Sequence, residues 1–379
     1  MSARSSNGPG IATRVFGSQW FVSVLAVLIA FVIGAILIAL SGASVVDAYY
    51  AMFRGSIVDP NAANAVRMIK PLTDSLFYSI PLIISGLGLA LGFRAGLFNI
   101  GGKGQIIVGA LAAVWVGFAV SLPPVVHTLV ALLVAVVAGG LYGGIAGVLK
   151  AKTGANEVIV TIMLNSIATL GLGYTLAQKA WQVPGTNQPV TPKVAESAAL
   201  ARLLPAPFKL HVGFLVALVA LVAFWWLIER STLGFQIRAV GANAAAARTA
   251  GISVERITAI TMVISGAFLG LAGANEALGT IGYVSRDVAG SIGFDAITVA
   301  LLGRNKTWGT FGAGLLFGAF KAGGYTMQAK GVPIDMILIL QSVIVLLIAA
   351  PALVRWLFRL PDVRALAANT RKGNADEHK

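Results

Sequence analysis

Long apolar runs separated by short polar segments make up most of this 379-residue chain. Runs with few or no charges cover residues 20–40, 76–93, 105–120, 128–149, 157–176, 212–228, 257–278, 292–303, 308–327 and 334–354. A helix of about 20 apolar residues spans the hydrocarbon core of a bilayer, and most of these runs reach that length. The run at 292–303 is too short to cross alone, and the run at 105–120 is marginal. The pattern predicts an all-α polytopic membrane protein with about ten transmembrane helices, including short or broken ones.

Composition favours a lipid environment and leaves little for catalytic chemistry. Hydrophobic residues are 57% of the chain and charged residues only 11%, whereas soluble domains carry about 25% charged residues. Cysteine is absent, which excludes disulfides and thiolate ligands. The three histidines, His127, His211 and His378, are far apart in sequence. We therefore expect no metal site and no catalytic residues.

The distribution of basic residues predicts how the chain is oriented. Ten crossings place both termini on the same side. Of 28 Lys and Arg, 18 fall in segments 1–19, 94–104, 150–156, 229–256, 304–307 and 355–379, and nine fall in the opposite segments. Cytoplasmic loops of membrane proteins are enriched in Lys and Arg, so these segments are expected in the cytoplasm. The domain prediction is a cytoplasmic tail at 1–19, a transmembrane domain at 20–355 with external loops at 41–75 and 177–211, and a cytoplasmic tail at 356–379.

Glycines spaced four residues apart indicate close packing between helices. Gly139, Gly143 and Gly147 fall on one face of a predicted helix, as do Gly266 and Gly270. Small residues at this spacing let two backbones approach closely in lipid, where the hydrophobic effect does not drive helix association. We expect these glycines to be structural.

Residues 94–105 contain the sequence Gly-Gly-Lys but do not form a phosphate-binding loop. A Walker motif needs Gly five positions before the Gly of its Gly-Lys, and Ser or Thr directly after the Lys. This chain has Leu97 and Gly104 at those positions. The chain is therefore not expected to bind ATP. The segment instead predicts a break between two half-helices, where Asn99 and Gln105 either line a translocation pathway or merely stabilise a turn.

Residues 153–165 predict the start of another helix. Asn156 is a suitable N-cap for a helix that begins at Glu157, whose acidic side chain suits a helix N-terminus. Asn165 lies two turns deeper, where an amide requires a partner. It is expected either to face another helix or to line the pathway.

Glu276 and Asp295 are the acidic residues in the most apolar surroundings. An acidic residue inside a membrane is a candidate functional residue, so both are assigned to the pathway. Glu276 could equally belong to a solvated helix end. Asp295 could pair with Arg286 or Lys321. The two acids do not form an evident proton relay.

The segment from Gly234 to Ile252 predicts a short helix in the longest cytoplasmic loop, at 229–256. Asn243 is a good N-cap, Ala244 to Ala250 favours helix, and Gly251 is a suitable C-terminal stop. A short capped helix of this kind could contact a peripheral ATPase or serve only to orient the loop. The candidate coupling residues are Arg238, Gly241, Asn243, Arg248 and Gly251.

In four blocks the chain resembles the permease subunits of bacterial ABC importers, in the branch for nucleosides and simple sugars. The blocks are Gly96–Gly101 with Gly104 and Gln105, Asn156–Val158 through Met163–Asn165, Arg238–Gly241 through Ala250–Ile252, and Gly293–Asp295 to Gly303–Asn305. The likeness covers roughly residues 20–355, and the first block favours the nucleoside type. Lys103 departs from the pattern, because an acidic residue is more usual at that position.

The resemblance implies a transport complex in which this chain is the channel and carries no cofactor. Its partners would be an ATPase subunit that binds ATP and Mg, a second permease that is often a different chain, and an external solute-binding protein or lipoprotein. The segment at 238–252 would couple ATP hydrolysis to transport in the bacterial inner membrane. The alternatives are an ion-gradient-driven secondary transporter, for which no paired acids or repeats are evident, and a membrane-embedded enzyme, for which no polar constellation is present.

Overall fold

A computed structural model describes residues 19–333 together with 336, 338, 339, 342, 343, 346 and 347. The regular structure in this part of the chain is helical, apart from one isolated bridge between Arg202 and His211. The helices are α1 Gln19–Leu40, α2 Val45–Ser56, α3 Ala65–Arg94, α4 Gly102–Ala119, α5 Val126–Thr153, α6 Glu157–Ala177, α7 Gly213–Arg230, α8 Thr232–Ala242, α9 Ala244–Thr249, α10 Val254–Asn275, α11 Ile292–Leu302 and α12 Thr307–Gln328. A π-helical turn, Glu276–Ile281, extends α10. The predicted run at 334–354 lies largely outside the described residues.

Six of the described helices are long and apolar enough to cross a membrane: α3, α4, α5, α6, α7, and α10 with its π-helical extension. Two shorter apolar stretches, Val27–Leu40 and Ile292–Leu302, accompany them. The prediction of an all-α polytopic membrane protein is confirmed.

Helix α3 begins at Ala65, well before the apolar run predicted at 76–93, so the expected external loop at 41–75 is largely helical. The Asn64 side chain caps α3 by accepting a hydrogen bond from the Arg67 backbone N–H at 2.9 Å. Lys70 forms an ion pair with Asp74 one turn further along the same helix. The sequence prediction began this helix at residue 76 because Lys70 and Asp74 interrupt the uncharged run. The helix nevertheless includes them, because they form an i,i+4 ion pair and Asn64 caps its start.

Residues 50–326 form one compact unit with α3 at its centre. In the most apolar stretch of α3, 83% of the residues are buried, against 22% for α6. Helices α7, α10 and α11 pack directly on α3. Because so little of α6 is buried, it has a large exposed apolar face, which includes Ile162, Met163 and Leu170.

Helices α5 and α10 pack through glycines, as their spacing predicts. A Cβ atom added at Gly143 would lie 2.6 Å from the carbonyl oxygen of Met262 and 2.9 Å from the Cα of Gly266. One added at Gly270 would lie 2.9 Å from the Cα of Gly139. Any side chain here would collide with backbone, so glycine is needed for this close approach.

The segment between α6 and α7 is irregular but extensively hydrogen-bonded. Backbone N–H groups of Thr191 and Val194 donate to the carbonyl oxygens of Val284 and Gly282 at 3.0 Å each, and that of Ala195 donates to Gly117 at 2.8 Å. The predicted loop at 177–211 is therefore an ordered cap at the ends of α4 and α10.

A second unit comprises residues 1–49 and 327–379, of which part is described. Within it, the Tyr49 hydroxyl donates a hydrogen bond to the Phe31 carbonyl oxygen. The two rings also meet edge to face, with centroids 5.5 Å apart. These contacts tie the start of α2 to α1.

Candidate functional site

The break between α3 and α4 is stabilised by a buried cluster of neutral amides. Asn99 and Gln105 are each 1% exposed. The Asn99 amide donates to Gln105 Oε1 at 3.1 Å and to Ser265 Oγ of α10 at 3.0 Å, while its oxygen accepts from the Gly101 N–H at 2.9 Å. The predicted break is confirmed, and the structure brings together the two amides that the sequence assigned to it.

Helix α6 holds this break through Asn165. Its side-chain oxygen accepts a hydrogen bond from the Gly104 N–H at 2.7 Å, and its amide donates to the Ile100 carbonyl oxygen at 2.8 Å. One turn earlier, the Thr161 hydroxyl oxygen accepts from the Ile100 N–H at 3.2 Å. Asn165 is therefore bonded to Ile100, just before α4 begins at Gly102, and to Gly104 in the first turn of α4.

A cavity of about 620 Å³ opens beside these contacts. It is lined by Ile100, Lys103, Ile162, Asn165, Ser166, Thr169, Leu170 and Phe294. Its volume lies within the range of about 300–1,000 Å³ that is typical of small-molecule sites. Mostly apolar walls with a few polar groups are also typical of such sites. Of the predicted pathway residues, Asn165 lines this cavity.

Glu157 at the start of α6 makes further contacts that the sequence did not reveal. The Asn156 cap is confirmed, since its side-chain oxygen accepts from the Val158 N–H at 2.9 Å. Glu157 also forms an ion pair with Lys150 at 2.5 Å and accepts a hydrogen bond from the Phe98 N–H at 3.3 Å. The acid thus fastens the break to both α5 and α6.

The two predicted intramembrane acids share a basic neighbour. Asp295 accepts a hydrogen bond from Ser291 at 2.6 Å, and Lys321 of α12 acts electrostatically on both Asp295 and Glu276. Among the described residues Lys321 forms no ion pair within 4 Å. Of the two partners considered for Asp295, the structure places Lys321 near it.

The predicted short helix is present as α9, preceded by α8, which the sequence did not indicate. The Asn243 side chain caps α9 by accepting from the Ala246 N–H at 3.1 Å, and Gly251 after it has φ +80°. Arg248 forms an ion pair with Glu255 at 2.7 Å, and Arg238 donates to the Ile228 carbonyl oxygen. Both arginines therefore stabilise the segment itself.

A groove of about 630 Å³ runs between α8 and α9. It is lined by Thr232, Phe235, Gln236, Ala239, Ala242, Asn243, Ala246, Ala247, Ala250, Gly251 and Ile252. Phe235 is 61% exposed. The segment thus presents a small apolar depression with an exposed aromatic side chain.

Gly241 connects this segment to the break. A Cβ atom at Gly241 would collide with the Arg94 carbonyl oxygen and would lie 3.0 Å from the carbonyl carbon of Ala95. Gly96, at φ +72°, packs on the other side of the same contact. The candidate coupling segment is thus in backbone contact with the end of α3.

His211 is buried close to the start of α7. Its Nδ1 accepts from the Gly213 N–H at 3.1 Å, and its ring meets Phe77 edge to face at 5.4 Å. Its Nε2 has no hydrogen bond to any residue that the structure describes. Burial lowers the pKa of His211 to about 4. His211 is therefore neutral at physiological pH.

Comparison with known proteins identifies relatives over most of the chain. Residues 72–349 match the family described as branched-chain amino acid transport system / permease component. A guanosine ABC transporter permease protein of Bacillus subtilis is 40% identical over 89% of this chain and 95% of its own length. A glucose ABC transporter permease protein of Haloferax volcanii is 35% identical over 85% of both chains. A nucleoside ABC transporter permease protein of Lactococcus lactis is 31% identical over 92% of this chain and 95% of its own. No solved structure matches.

Proposed function

Because the chain belongs to this family of transport-system permeases, we propose that it forms the channel of an ATP-driven importer for nucleosides. Members of the family are permease subunits of ABC transporters rather than enzymes, and ATP hydrolysis takes place in a separate subunit. The chain is accordingly a multi-pass membrane protein that works with an ATPase and a solute-binding protein. The secondary-transporter alternative has no support from the relatives.

The nucleoside assignment has support from the relatives. Two of the three relatives described above are a guanosine permease and a nucleoside permease. This chain matches 95% of the length of each of them. The glucose permease at 35% identity keeps simple sugars, such as ribose or galactose, as the second candidate solute class.

The observation that carries the coupling proposal is the backbone contact between Gly241 and the end of α3. Segment 238–252 would receive the partner ATPase, with Arg238, Gly241, Asn243, Arg248 and Gly251 maintaining its shape. Displacement of α8 by the ATPase would then reach the break at Asn99 directly. ATP and Mg would be bound by the ATPase, and this chain would hold no cofactor or metal.

The pathway would run along the break, with Asn99, Gln105, Asn165, Glu276 and Asp295 at or near it. Polar residues at membrane depth face the bundle interior or a water-filled cavity. The exposed apolar residues of α6 outside the cavity, such as Met163 and Ile167, would pack against a second permease, which we propose is a different chain. Both termini would lie in the cytoplasm, as the distribution of basic residues predicts. The membrane would be the bacterial inner membrane, as the resemblance to bacterial ABC importers implies.

Uptake measurements test the solute class. Cells lacking this chain are given labelled uridine, adenosine, ribose or galactose, and initial uptake is compared with cells that carry the wild-type chain. We expect loss of nucleoside uptake alone, restored by the wild-type chain. Loss of sugar uptake instead would move the chain to the sugar class, and unchanged uptake of all four solutes and of labelled inosine would contradict both.

The double variant Asn243→Leu with Arg248→Glu tests the coupling assignment. It removes the α9 cap and the ion pair to Glu255, so we expect ATP hydrolysis without transport while the chain still inserts in the membrane. Lys152→Glu, a charge reversal at an exposed site at the end of α5, is the matched control. Normal uptake by the double variant would show that segment 238–252 does not couple.

A further inference from the structure

Lys103 lines the cavity beside α6 without a charged partner. Among the described residues no carboxylate lies within 4.0 Å of its ammonium group. The sequence assigned segment 94–104 to the cytoplasm, but the structure places Lys103 beside Asn165, two turns into the apolar helix α6. A lysine at such a position is costly unless it pairs or reaches water. The cavity of about 620 Å³ is large enough to hold water beside the ammonium group, and it leaves the three N–H donors of Lys103 available to a ligand.

The other polar groups in the cavity differ in what they can still offer. Asn165 already uses its oxygen and one amide proton on Gly104 and Ile100. The Thr169 hydroxyl donates its proton to the Asn165 carbonyl oxygen at 2.8 Å, so toward a ligand it can only accept. The cavity therefore presents a cationic donor, Lys103, a hydroxyl acceptor, Thr169, and a second hydroxyl, Ser166, that can donate or accept.

Phe294 adds an aromatic surface to the same cavity. Its side chain is 57% exposed, and its neighbour Gly293 packs against the backbone of Lys103. Aromatic side chains bind nucleobases by stacking, irrespective of the base, because every base has a π face. Stacking on Phe294 would hold a base in the cavity, and the polar edge of that base would then decide which base is preferred.

We propose that this cavity binds the base of the transported nucleoside and that Lys103 makes it selective for 6-oxopurines. The proposal rests on the proposed function. A lysine donates to the adjacent O6 and N7 acceptors of a 6-oxopurine, whereas adenine carries an amino donor at position 6. The N1–H of the 6-oxopurine is a donor that suits the Thr169 acceptor. Adenine would set its amino group against the ammonium group of Lys103.

Inosine and adenosine are a suitable pair of probes, because their bases differ only at position 6 and in the N1 proton. Initial uptake of each is measured below saturation in cells that carry the complete transporter with wild-type chain, Lys103→Met or Lys103→Arg. The solute-binding protein is the same in all strains, so its preference cancels when each variant is compared with wild type. Lys179→Met, at an exposed site in the loop after α6, is the control.

We expect Lys103→Met to lower inosine uptake about tenfold and to change adenosine uptake less than twofold. Tenfold is the low end of the effect of losing a hydrogen bond from a charged donor, because the cavity is open. Lys103→Arg should restore most of the inosine uptake, and Lys179→Met should behave as wild type. An unchanged ratio of inosine to adenosine uptake in Lys103→Met would overturn the proposal. If uptake of both solutes falls equally, Lys103 is structural. Absence of inosine and adenosine uptake in wild-type cells that still take up uridine would overturn this proposal alone. Absence of uptake of all three would overturn the proposed function as well.

Discussion

The contact between α5 and α10 leaves no room for a side chain at Gly143, and this predicts a measurable loss of stability for Gly143→Ala. The new Cβ would lie 2.6 Å from the Met262 carbonyl oxygen and 2.9 Å from the Gly266 Cα. Both are backbone atoms, so no rotamer change relieves the overlap, and the cost should be near the top of the range of about 1–3 kcal/mol for overpacking. Alanine regains roughly 1 kcal/mol in helix propensity. The expected net destabilisation is therefore about 2 kcal/mol.

The effect is measured as a change in Tm: the detergent-solubilised protein is heated, and the fraction that remains monodisperse is recorded against temperature. With an unfolding entropy of about 2.1 cal/mol/K per residue, about 2 kcal/mol corresponds to a fall in Tm of about 2.5 °C for a chain of this size. Gly171→Ala is the matched control, because Gly171 lies within α6 and a Cβ there would have no atom within 4 Å. It should leave Tm unchanged or slightly raised. Equal Tm values for the two variants would refute the close-packing argument.

Two further predictions concern His211 and Asn99. Because the pKa of His211 is about 4 when folded and ordinarily 6.5, the unfolded chain binds a proton that the folded chain does not as pH falls below 6.5. His211 should thus make the free energy of unfolding about 2 kcal/mol lower at pH 5 than at pH 7. Thermal unfolding of His211→Phe should lack that part of the pH dependence. Asn99→Leu leaves Gln105 and Ser265 without their partner, so nucleoside uptake should fall further than co-purification of the ATPase. Equal loss of both would make Asn99 purely structural.

Sequence reasoning succeeded where the determining contacts are local. Asn156 and Asn243 cap their helices through N–H groups two or three residues ahead, and Gly251 adopts the positive φ expected after a helix. These interactions depend on residue type and spacing within a few positions, which a sequence displays directly. The glycine contacts between α5 and α10 were foreseeable for the same reason, since four-residue spacing marks one helix face.

Contacts between distant segments could not be predicted in this way. Asn165 bonds Gly104 across 61 positions, and Glu157 reaches Phe98 across 59, so neither pairing leaves a local pattern. The sequence offered Asn165 as either a helix-packing or a pathway residue. The structure shows that it makes interhelical contacts and also lines the cavity. Helix α8 was missed because its residues, between Ser231 and Asn243, have neither a long apolar run nor strong helix formers throughout.

The break after α3 lies between the proposed coupling segment and the cavity. Gly241 contacts the backbone of Arg94 and Ala95 without an intervening side chain, so a shift of α8 cannot be absorbed by a change of rotamer. From there the chain runs through Asn99 to Lys103 in fewer than ten residues. Side-chain contacts would allow such a displacement to dissipate, whereas packed backbone transmits it. A transporter that must convert movement of its ATPase into a change at the solute site would therefore gain from glycine at position 241, and Gly241→Ala should impair uptake even where the ATPase still binds.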